Sequence, residues 1–543
     1  MNFFRSIYWC WSSACGVRWR VVLSTLLGVV HALLALAFVF ASKMLVDIAT
    51  KVADGELSLW VYILIGIVAL QLLLRCVRQW IDSQSEIALL NGLRYKYFDR
   101  VLRSAWSGRE QFHTGDAVNR LDRDLGSIVG AVIFTLPSIV TSGVQLVGSF
   151  IYLNLLSSSL SWTLLAIMPI VLIISKVYIG RIRSLTHAIR NSESRVQSYM
   201  QESLRNRTTI NLLESEGYTL QQFGGHQDDL RTNLLSRVRY TMFSRTVVQA
   251  GFAVGYVVVL VWGVYGLDRG VLSFGAVAAF LQLVSQVQSP VVELGQRVSG
   301  LFGVVASVDR ILDIEGLHVE SCDAERRLSG GVGVRFEGVD FGYSDGDKLV
   351  LEGFDCDFEP GSFGVIVGET GAGKSTLLRL IAALLRPDRG RVVLYSGADG
   401  DVEASIATRS NIVYVPQGST LVSGTIRDNL RLGCATASDE DMMKALHVAA
   451  ADFVAELADG LSTMCGEGGA GLSEGQAQRI SIARGLLRDG GVVVMDEPTS
   501  ALDSATELLF LSRLGEYVGE RTVIMVTHRE NIATYCSNVV NLL

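Results

Sequence analysis

Charged residues and paired cysteines are scarce in this 543-residue sequence. Aspartate, glutamate, lysine and arginine make up only 19% of it, a low share for a soluble protein. The net charge of −7 is modest and argues against nucleic acid as a partner, because domains that bind nucleic acid usually present a basic face. The eight cysteines form no CxxC pair and no Cys/His cluster, which argues against a metal site of that kind and predicts reduced thiols facing the cytosol.

The shortage of charge is regional. Long apolar runs occupy the chain up to about residue 310, whereas the remainder has the composition of an ordinary α/β domain. The sequence therefore predicts a helical membrane domain over residues 1–310, a linker over 311–330 and a separate α/β domain over 331–543.

Six apolar segments are long enough to cross a membrane, because a helix needs about 20 apolar residues to span the hydrocarbon core. Their approximate ranges are 21–46, 59–77, 128–153, 160–179, 247–266 and 271–291. The last is the weakest by hydropathy, since Gln282, Gln286 and Gln288 interrupt it. The prediction is an integral membrane protein surrounded by lipid.

Most arginines and lysines of this half lie in two long connections, over residues 75–123 and 176–245. Basic loops stay on the cytoplasmic side of a membrane, so both connections and the N-terminus are predicted to be cytoplasmic. Six spans then leave the C-terminal domain in the cytosol. Both connections are long enough to extend the membrane helices as helices, with turns expected near residues 112–116 and 213–218. The aromatic segment over residues 3–11 suits either an interfacial helix or a simple membrane anchor.

A few polar residues lie inside the predicted spans. Gln282 and Gln286 are four residues apart and share one face of the sixth helix, and His31 and Gln145 lie in the first and third. Polar side chains in a membrane tend to face the bundle interior, which makes these four candidates for contact with a transported substrate. Hydrogen bonding between helices is an equal alternative.

The C-terminal domain contains a phosphate-binding loop. Residues 331–343 alternate like an edge strand that ends at Tyr343, and a short apolar strand follows at residues 363–367. It runs directly into Gly368-Glu369-Thr370-Gly371-Ala372-Gly373-Lys374-Ser375-Thr376, and a helical pattern comes next. This is G-x-x-x-x-G-K-[ST] in the strand–loop–helix setting that it requires. Lys374 is predicted to bind the β- and γ-phosphates of a nucleotide, and the Ser375 hydroxyl to bind Mg²⁺.

A second apolar run ends in two acids. Residues 492–495 are the type of strand found buried in parallel sheets, and Asp496 and Glu497 follow. Asp496 is placed for a contact with Mg²⁺. Glu497 is placed to orient or deprotonate an attacking water.

A third motif, Leu472-Ser473-Glu474-Gly475-Gln476, lies about a hundred residues after the phosphate loop. Together the three motifs resemble those of the ATP-binding cassette (ABC) family, and the resemblance extends over essentially the whole chain. It implies an exporter-type half-transporter, with six membrane helices fused to one P-loop ATPase domain that has a helical subdomain.

The resemblance also implies roles for individual residues. Tyr343 would stack on adenine, and Gln417 would contact Mg²⁺ and sense the membrane domain. Ser473, Gly475 and Gln476 belong to the signature that closes over ATP held by a second chain, with Ser473 and Gly475 at the γ-phosphate. Asp503 would connect the two sites, and His528 would hold the γ-phosphate and water in line.

The sequence departs from the family pattern in three places. Glu474 replaces a frequent glycine, residues 466–469 are a glycine-rich version of the segment before the signature, and the chain stops at Leu543, soon after His528. A trimmed end of the domain is therefore expected. The predicted catalytic positions are all present.

The expected function is ATP-driven export or lipid flipping by a dimer in the bacterial inner membrane, with ATP and Mg²⁺ as ligands. Two alternatives remain open: an importer with the same architecture, and a regulatory membrane protein gated by ATP. The residues do not distinguish a homodimer from a heterodimer, and they do not identify the substrate.

Overall fold

The computed structural model describes residues 3–106, 114–320, 324–343, 349–369, 371–528, 536 and 538–542. The side chains of residues 114, 159–161, 163–179, 183, 296, 299, 302 and 467 are outside this description. Two compact units form: one contains Met1–Phe98 and Val118–Glu315, and the other contains Asp99–Ala117 and Gly316–Leu543. The domain boundaries given above remain predictions. The grouping of Asp99–Ala117 with the second unit was not anticipated from the distribution of apolar residues.

The N-terminal part of the chain is helical. The α-helices in its described residues are α1 (Phe3–Ser13), α2 (Arg18–Ala49), α3 (Leu57–Leu102), α4 (Thr114–Asn119), α5 (Leu125–Gly130), α6 (Leu136–Leu156), α7 (Ser158–Arg205), α8 (Arg207–Leu212), α9 (Glu216–Asp268) and α10 (Phe274–Glu315). The turn between α8 and α9 falls at the second predicted loop tip. Of the first predicted tip, Phe112 and His113 lie outside the described residues.

Five helical stretches in the described residues are long and apolar enough to cross a membrane: Arg18–Ala49, Leu57–Leu102, Gly115–Leu156, Glu216–Asp268 and Phe274–Gly295. They contain five of the six predicted spans. The fourth predicted span, residues 160–179, lies within α7, but nearly all of its side chains are outside the described part.

The third membrane stretch departs from regular α-geometry, and α10 contains a proline. Two π-helical turns, Arg120–Asp124 and Ala131–Thr135, separate α4, α5 and α6, so the stretch containing the third predicted span is not one uniform α-helix. Pro290 lies inside α10. Because proline has no backbone N–H and its ring crowds the preceding turn, it interrupts the hydrogen-bond ladder of that helix.

The N-terminal helix α1 packs against α10. Ser6 and Cys10 are buried, and the indole of Trp9 donates a 3.1 Å hydrogen bond to the Glu315 carboxylate. Phe4 is 83% exposed on the same helix. One face of α1 is thus fixed to the bundle, and its aromatic face is left for the membrane interface.

The described residues of the second unit form three sheets. Its strands are β1 (Val332–Phe341), β2 (Leu351–Phe358), β3 (Phe363–Gly368), β4 (Arg389–Ser396), β5 (Gly400–Glu403), β6 (Ile412–Val415), β7 (Gly424–Thr425), β8 (Met464–Cys465), β9 (Val492–Asp496), β10 (Thr522–Val526) and β11 (Asn538–Leu542). The antiparallel sheet has the order β2-β1-β4-β5, the parallel sheet has the order β11-β3-β10-β9-β6, and β7 pairs with β8. The prediction that residues 331–343 form an edge strand is wrong, because β1 is paired on both sides.

The parallel sheet is buried on both faces. Every residue of β9 is buried, and alternate residues join two different hydrophobic clusters: Val493 packs on one side and Val494 on the other. Around it lie the helices α11 (Lys374–Ile381), α12 (Ile426–Arg431), α13 (Asp439–Val448), α14 (Glu474–Leu486) and α15 (Ser504–Val518). The sheet-and-helix ATPase fold with a helical subdomain, predicted from the motifs, is confirmed.

Candidate ATP-hydrolysis site and membrane cavity

The phosphate loop connects β3 to α11 as predicted. Gly371 and Gly373 adopt φ values of +93° and +94°, which glycine tolerates far better than other residues. A Cβ on Gly373 would lie 2.8 Å from Cγ1 of Val350, so a side chain there would also collide. Thr370, a predicted nucleotide contact, is outside the described residues.

Lys374 is buried at the start of α11, with 6% of its surface exposed. Its ammonium donates hydrogen bonds to the carbonyl oxygens of Gly368 and Glu369. A buried ammonium is costly unless oxygen atoms surround it, so the loop folds its own carbonyls around the charge. The ammonium is therefore held over the phosphate loop.

The acidic pair lies at the same edge of the sheet. Asp496 ends β9 and is paired with Val526 at the end of β10, and Val526 is in turn paired with Ile366 of β3. The carboxyl ends of parallel strands meet at one edge, where ligands of such sheets usually bind. Sheet register alone therefore brings Asp496, Glu497 and His528 to the phosphate loop.

A chain of hydrogen bonds joins four of the predicted residues. Lys374 Nζ lies 3.2 Å from His528 Nδ1, and His528 Nε2 pairs with the Glu497 carboxylate. The other carboxylate oxygen of Glu497 accepts a 2.9 Å bond from the amide of Gln417. Since an ammonium only donates, Nδ1 of His528 is the acceptor and Nε2 carries the proton.

The backbone of Glu497 is in the left-handed region, with φ of +48°. Such a conformation is unfavourable for a residue with a side chain and persists where the surroundings impose it. Here the Glu497 N–H donates to the Val526 carbonyl at 3.0 Å, and its own carbonyl accepts a 3.0 Å bond from the Gln478 amide.

Gln478 is a residue that the sequence analysis missed. It is 2% exposed on α14, donates also to the Ser500 hydroxyl at 3.1 Å, and accepts a 3.1 Å bond from the Ala501 N–H. It thus ties the helix that begins at the signature to the loop that follows Glu497. One feature of the sequence could have identified it: Gln478 is a polar residue that follows Ala477 on the apolar side of helix α14.

Asp496 supplies the most buried carboxylate of the site, with 4% of its surface exposed. Burial raises its pKa, and a hydrogen bond with the Ser375 side chain opposes that rise. A cation at this position would favour the charged carboxylate. Carboxylate, hydroxyl and amide oxygens are the donors that Mg²⁺ prefers, so Asp496, Ser375 and Gln417 fit that ion. The described residues contain no group of three or more His, Cys, Asp or Glu side chains placed to hold a metal ion, so phosphate oxygens and water would have to complete the shell.

Tyr343 lies just after β1. Its hydroxyl is 3.1 Å from the hydroxyl of Thr376, and Arg379 donates a 3.4 Å bond to it. Its ring meets Phe341 edge-on at 5.0 Å. The side chain is half-buried beside the first turn of α11.

The signature residues begin α14. Ser473 caps the helix, and it forms a capping box with Gln476, whose side chain accepts a 2.9 Å bond from the Ser473 N–H. A Cβ on Gly475 would lie 2.7 Å from the Ala501 carbonyl oxygen, so this position has no room for a side chain. Asp503 caps α15 by accepting from the backbone N–H groups of Ala505 and Thr506.

The four polar candidates of the membrane unit separate into two pairs. The Gln282 amide donates to the Ser42 hydroxyl at 3.3 Å, and the Gln286 amide donates to the Ala35 carbonyl at 3.2 Å, so both connect α10 to α2. His31 and Gln145 instead line a polar cavity.

Comparison with known proteins agrees with these features. Residues 21–291 match the family described as ABC transporter transmembrane region, and residues 351–500 match the family described as ABC transporter. The chain belongs to the ABC transporter family. The resemblance proposed from the three motifs, including the exporter-type half-transporter architecture, is confirmed.

Individual relatives of this ABC transporter differ in the cargo that their names state. It is 27% identical to an uncharacterized ABC transporter ATP-binding protein YknV of Bacillus subtilis, over 86% of this chain and 78% of the relative. It is 29% identical to a fatty acid ABC transporter ATP-binding/permease protein of Mycobacterium bovis, over 80% and 69%. It is 26% identical to an ATP-dependent lipid A-core flippase of Chromobacterium violaceum, over 94% and 88%.

A bacterial Atm1-family ABC exporter solved with ATP bound has the same fold, with a TM-score of 0.81, 24% identity and coverage of 97% of this chain and 94% of that chain. Membership of the family makes this ABC transporter an integral membrane protein that binds ATP and couples its hydrolysis to transport.

Proposed function

We propose that this ABC transporter is a dimeric half-transporter that exports or flips its substrate across the bacterial inner membrane. The observation that carries the proposal is the hydrogen-bonded series Lys374–His528–Glu497–Gln417, which spans the edge of the parallel sheet. A protein that is only gated by ATP needs to bind the nucleotide but does not need to hydrolyse it. This arrangement also provides a carboxylate and an imidazole for hydrolysis.

Within one chain, the loop from Gly368 to Thr376 holds the phosphates through its backbone N–H groups, and Lys374 contacts the β- and γ-phosphates. Tyr343 stacks on the adenine. Ser375, Asp496 and Gln417 would hold Mg²⁺, which when bound neutralises charge on the phosphates.

Two side chains prepare the attacking water. Glu497 accepts its proton or orients it, from a backbone that the Gln478 and Val526 hydrogen bonds keep in place. His528 donates from Nε2 toward the γ-phosphate and keeps water and phosphate in line. In this structure that N–H is directed at the Glu497 carboxylate, so the role requires it to turn to the γ-phosphate when ATP binds.

A second chain completes the site. The Ser473 hydroxyl accepts from the Gln476 N–H within α14, and that helix presents its amino terminus, Ser473 and Gly475 to solvent-accessible space. In the dimer these groups contact the γ-phosphate of ATP held by the partner, and Asp503 connects one site to the other. Closure requires that ATP bind the closed dimer more tightly than the open one.

The decisive test of turnover is Glu497→Gln in the purified full-length chain. The amide keeps the size of the side chain and its hydrogen bond to Gln417 but cannot accept a proton, so hydrolysis should fall by at least a hundredfold. Binding of ATP, measured with a fluorescent analogue, should remain. Glu359→Gln removes an exposed carboxylate of the same unit and is the matched control.

Near-normal hydrolysis in Glu497→Gln would refute the role of this carboxylate. Direction is tested separately, in vesicles with the ATPase domain outside: export or flipping predicts ATP-dependent movement of lipid or solute away from the ATP side, and movement toward it would identify an importer.

A further inference from the structure

A polar cavity of about 310 Å³ lies inside the membrane unit, between α2, α3, α6 and α10. Its walls include one imidazole, two guanidinium groups, one carboxylate and one amide, from His31, Arg78, Arg297, Glu293 and Gln145. An ionisable side chain within a membrane bundle is costly and generally marks a path or a binding site. This cavity combines four such groups.

The two arginines are only loosely paired. Arg78 Nε lies 3.7 Å from an Asp82 oxygen, and Arg297 Nη2 lies 3.6 Å from a Glu293 oxygen. Both distances exceed a hydrogen bond, for which nitrogen and oxygen lie 2.7–3.2 Å apart. Among the described residues, Nε of Arg78 is buried without a hydrogen-bond partner.

Serine hydroxyls bind the two carboxylates instead. Ser24 donates to Asp82 at 2.5 Å, and Ser142 donates to Glu293 at 3.0 Å. A guanidinium has five N–H donors in a planar fork that matches a carboxylate or a phosphate. Each carboxylate therefore has a neutral partner, and within the described part of the chain neither guanidinium donates a hydrogen bond to another side chain or to the backbone.

A glycine makes room for one of these forks. Gly28 is buried within α2, where glycine is a less favourable helix residue than alanine. A Cβ at this position would lie 2.6 Å from Nη1 of Arg78 and 2.5 Å from Cγ2 of Thr141. The Arg78 guanidinium thus lies close to the α2 backbone, in space that a side chain at position 28 would compete for.

We propose that this cavity binds the anionic group, a phosphate or a carboxylate, of the substrate that the transporter moves. Arg78 and Arg297 donate to that group, and His31 and Gln145 supply further polar contacts. The carboxylate of Glu293 lies beside Arg297 and repels a second negative charge on the bound group. This assignment rests on the proposed transport function and adds a chemical class of substrate to it. The anionic group belongs either to a lipid or to a soluble organic anion.

The test is equilibrium binding to the purified full-length chain in a non-ionic detergent, without ATP and at constant ionic strength. The probes are dioleoyl phosphatidic acid, the zwitterionic dioleoyl phosphatidylcholine as its matched lipid, and soluble hexyl phosphate. Native mass spectrometry counts the bound molecules at each concentration. The wild-type chain should bind phosphatidic acid at least tenfold more tightly than phosphatidylcholine.

Three substitutions separate the cavity from general surface charge. Arg297→Gln should weaken binding of phosphatidic acid by about tenfold or more, because a charge-assisted hydrogen bond is lost. Glu293→Gln should tighten it several-fold, since the amide can still accept from Ser142 but no longer repels the anion. Arg190→Gln removes an exposed arginine of α7 outside the cavity and should leave binding unchanged.

Opposite effects at positions 293 and 297 are not expected from misfolding, which would weaken binding in both variants. If Arg297→Gln does not fold, Glu293→Gln and Arg297→Lys still carry the test. The proposal is overturned if Arg190→Gln weakens binding as much as Arg297→Gln, if Glu293→Gln also weakens it, or if neither phosphate probe binds better than phosphatidylcholine.

The probes also distinguish the source of the anion. Binding of phosphatidic acid but not hexyl phosphate identifies a lipid head group, and binding of both identifies a site for which the soluble anion suffices. Because no ATP is present, this test is independent of turnover. A wild-type chain that binds the phosphate but neither hydrolyses ATP nor moves a substrate would contradict the proposed function and leave the cavity as an anion-binding site without a role in transport.

Discussion

Replacing Gln478 with leucine should affect both the stability of the ATPase unit and its catalysis. The side chain makes three buried hydrogen bonds, to the Glu497 carbonyl, the Ser500 hydroxyl and the Ala501 N–H, at 3.0–3.1 Å. Leucine has a similar size and removes all three. It also leaves a backbone carbonyl and a backbone N–H without their side-chain partner.

The expected loss follows from those contacts. A hydrogen bond contributes about 1 kcal/mol net, and a buried polar group left unsatisfied costs about 1–3 kcal/mol, so Gln478→Leu should lower the free energy of unfolding by about 2–4 kcal/mol. For a unit of roughly 200 residues this corresponds to a fall in Tm of about 5–15 °C. Hydrolysis should fall by about a hundredfold, because the backbone carrying Glu497 loses a fixed contact.

The assay is thermal unfolding of the full chain followed by circular dichroism, together with ATP turnover below the transition. Glu516→Gln, an exposed substitution on α15, is the control and should change Tm by no more than about 2 °C. A Gln478→Leu variant with wild-type Tm and wild-type turnover would refute the view that this glutamine supports the catalytic loop.

Two further substitutions have effects of opposite sign on stability. Asp503→Ala removes the cap of α15 and should lower Tm by about 2–4 °C, whereas Asp503→Asn keeps an acceptor for the Ala505 and Thr506 N–H groups and should not; equal shifts would exclude capping as the cause. Asp496→Asn should raise Tm at neutral pH while reducing Mg²⁺-dependent hydrolysis. Burial raises the pKa of Asp496 in the folded chain above its value in the unfolded chain. Between these two pKa values the folded state keeps a proton that the unfolded state has lost, so stability falls as the pH rises through this range. The gain from asparagine should therefore disappear in acid, and a gain that is independent of pH would contradict this explanation.

The ATPase site could be predicted from sequence because its parts are local. Lys374 and Ser375 follow a strand within a few residues, and Asp496 and Glu497 end another. Parallel pairing of these strands then brings their carboxyl ends to one edge of the sheet. Only the structure shows that Gln417 and His528 both contact the Glu497 carboxylate, because their distances from it along the sequence say nothing about their positions in space.

The remaining features depend on contacts distant in sequence. The alternation in β1 is that of a strand with one buried face, but it does not reveal that β4, about fifty residues away, covers the second edge. Arg78, Glu293 and Arg297 were missed for a different reason. They lie just beyond the apolar runs at residues 59–77 and 271–291, and a search for hydrophobic segments stops where a charge begins. Among the residues that line the cavity, the sequence therefore predicted only His31 and Gln145 as candidates.

Pro290 gives α10 a mechanical property that follows from its position in the helix. Glu293 lies three residues after Pro290 and Arg297 lies seven residues after it, whereas the helix continues for 25 residues beyond the proline, to Glu315. With a rise of about 1.5 Å per residue, a bend of about 10° at the proline would move Glu293 by about 1 Å, Arg297 by about 2 Å and the far end by roughly 6–7 Å. The part of α10 beyond Pro290 thus moves about a hinge that lies beside the cavity. A displacement as small as the closing of two loose ion pairs would be magnified several-fold at the end of α10 near Glu315.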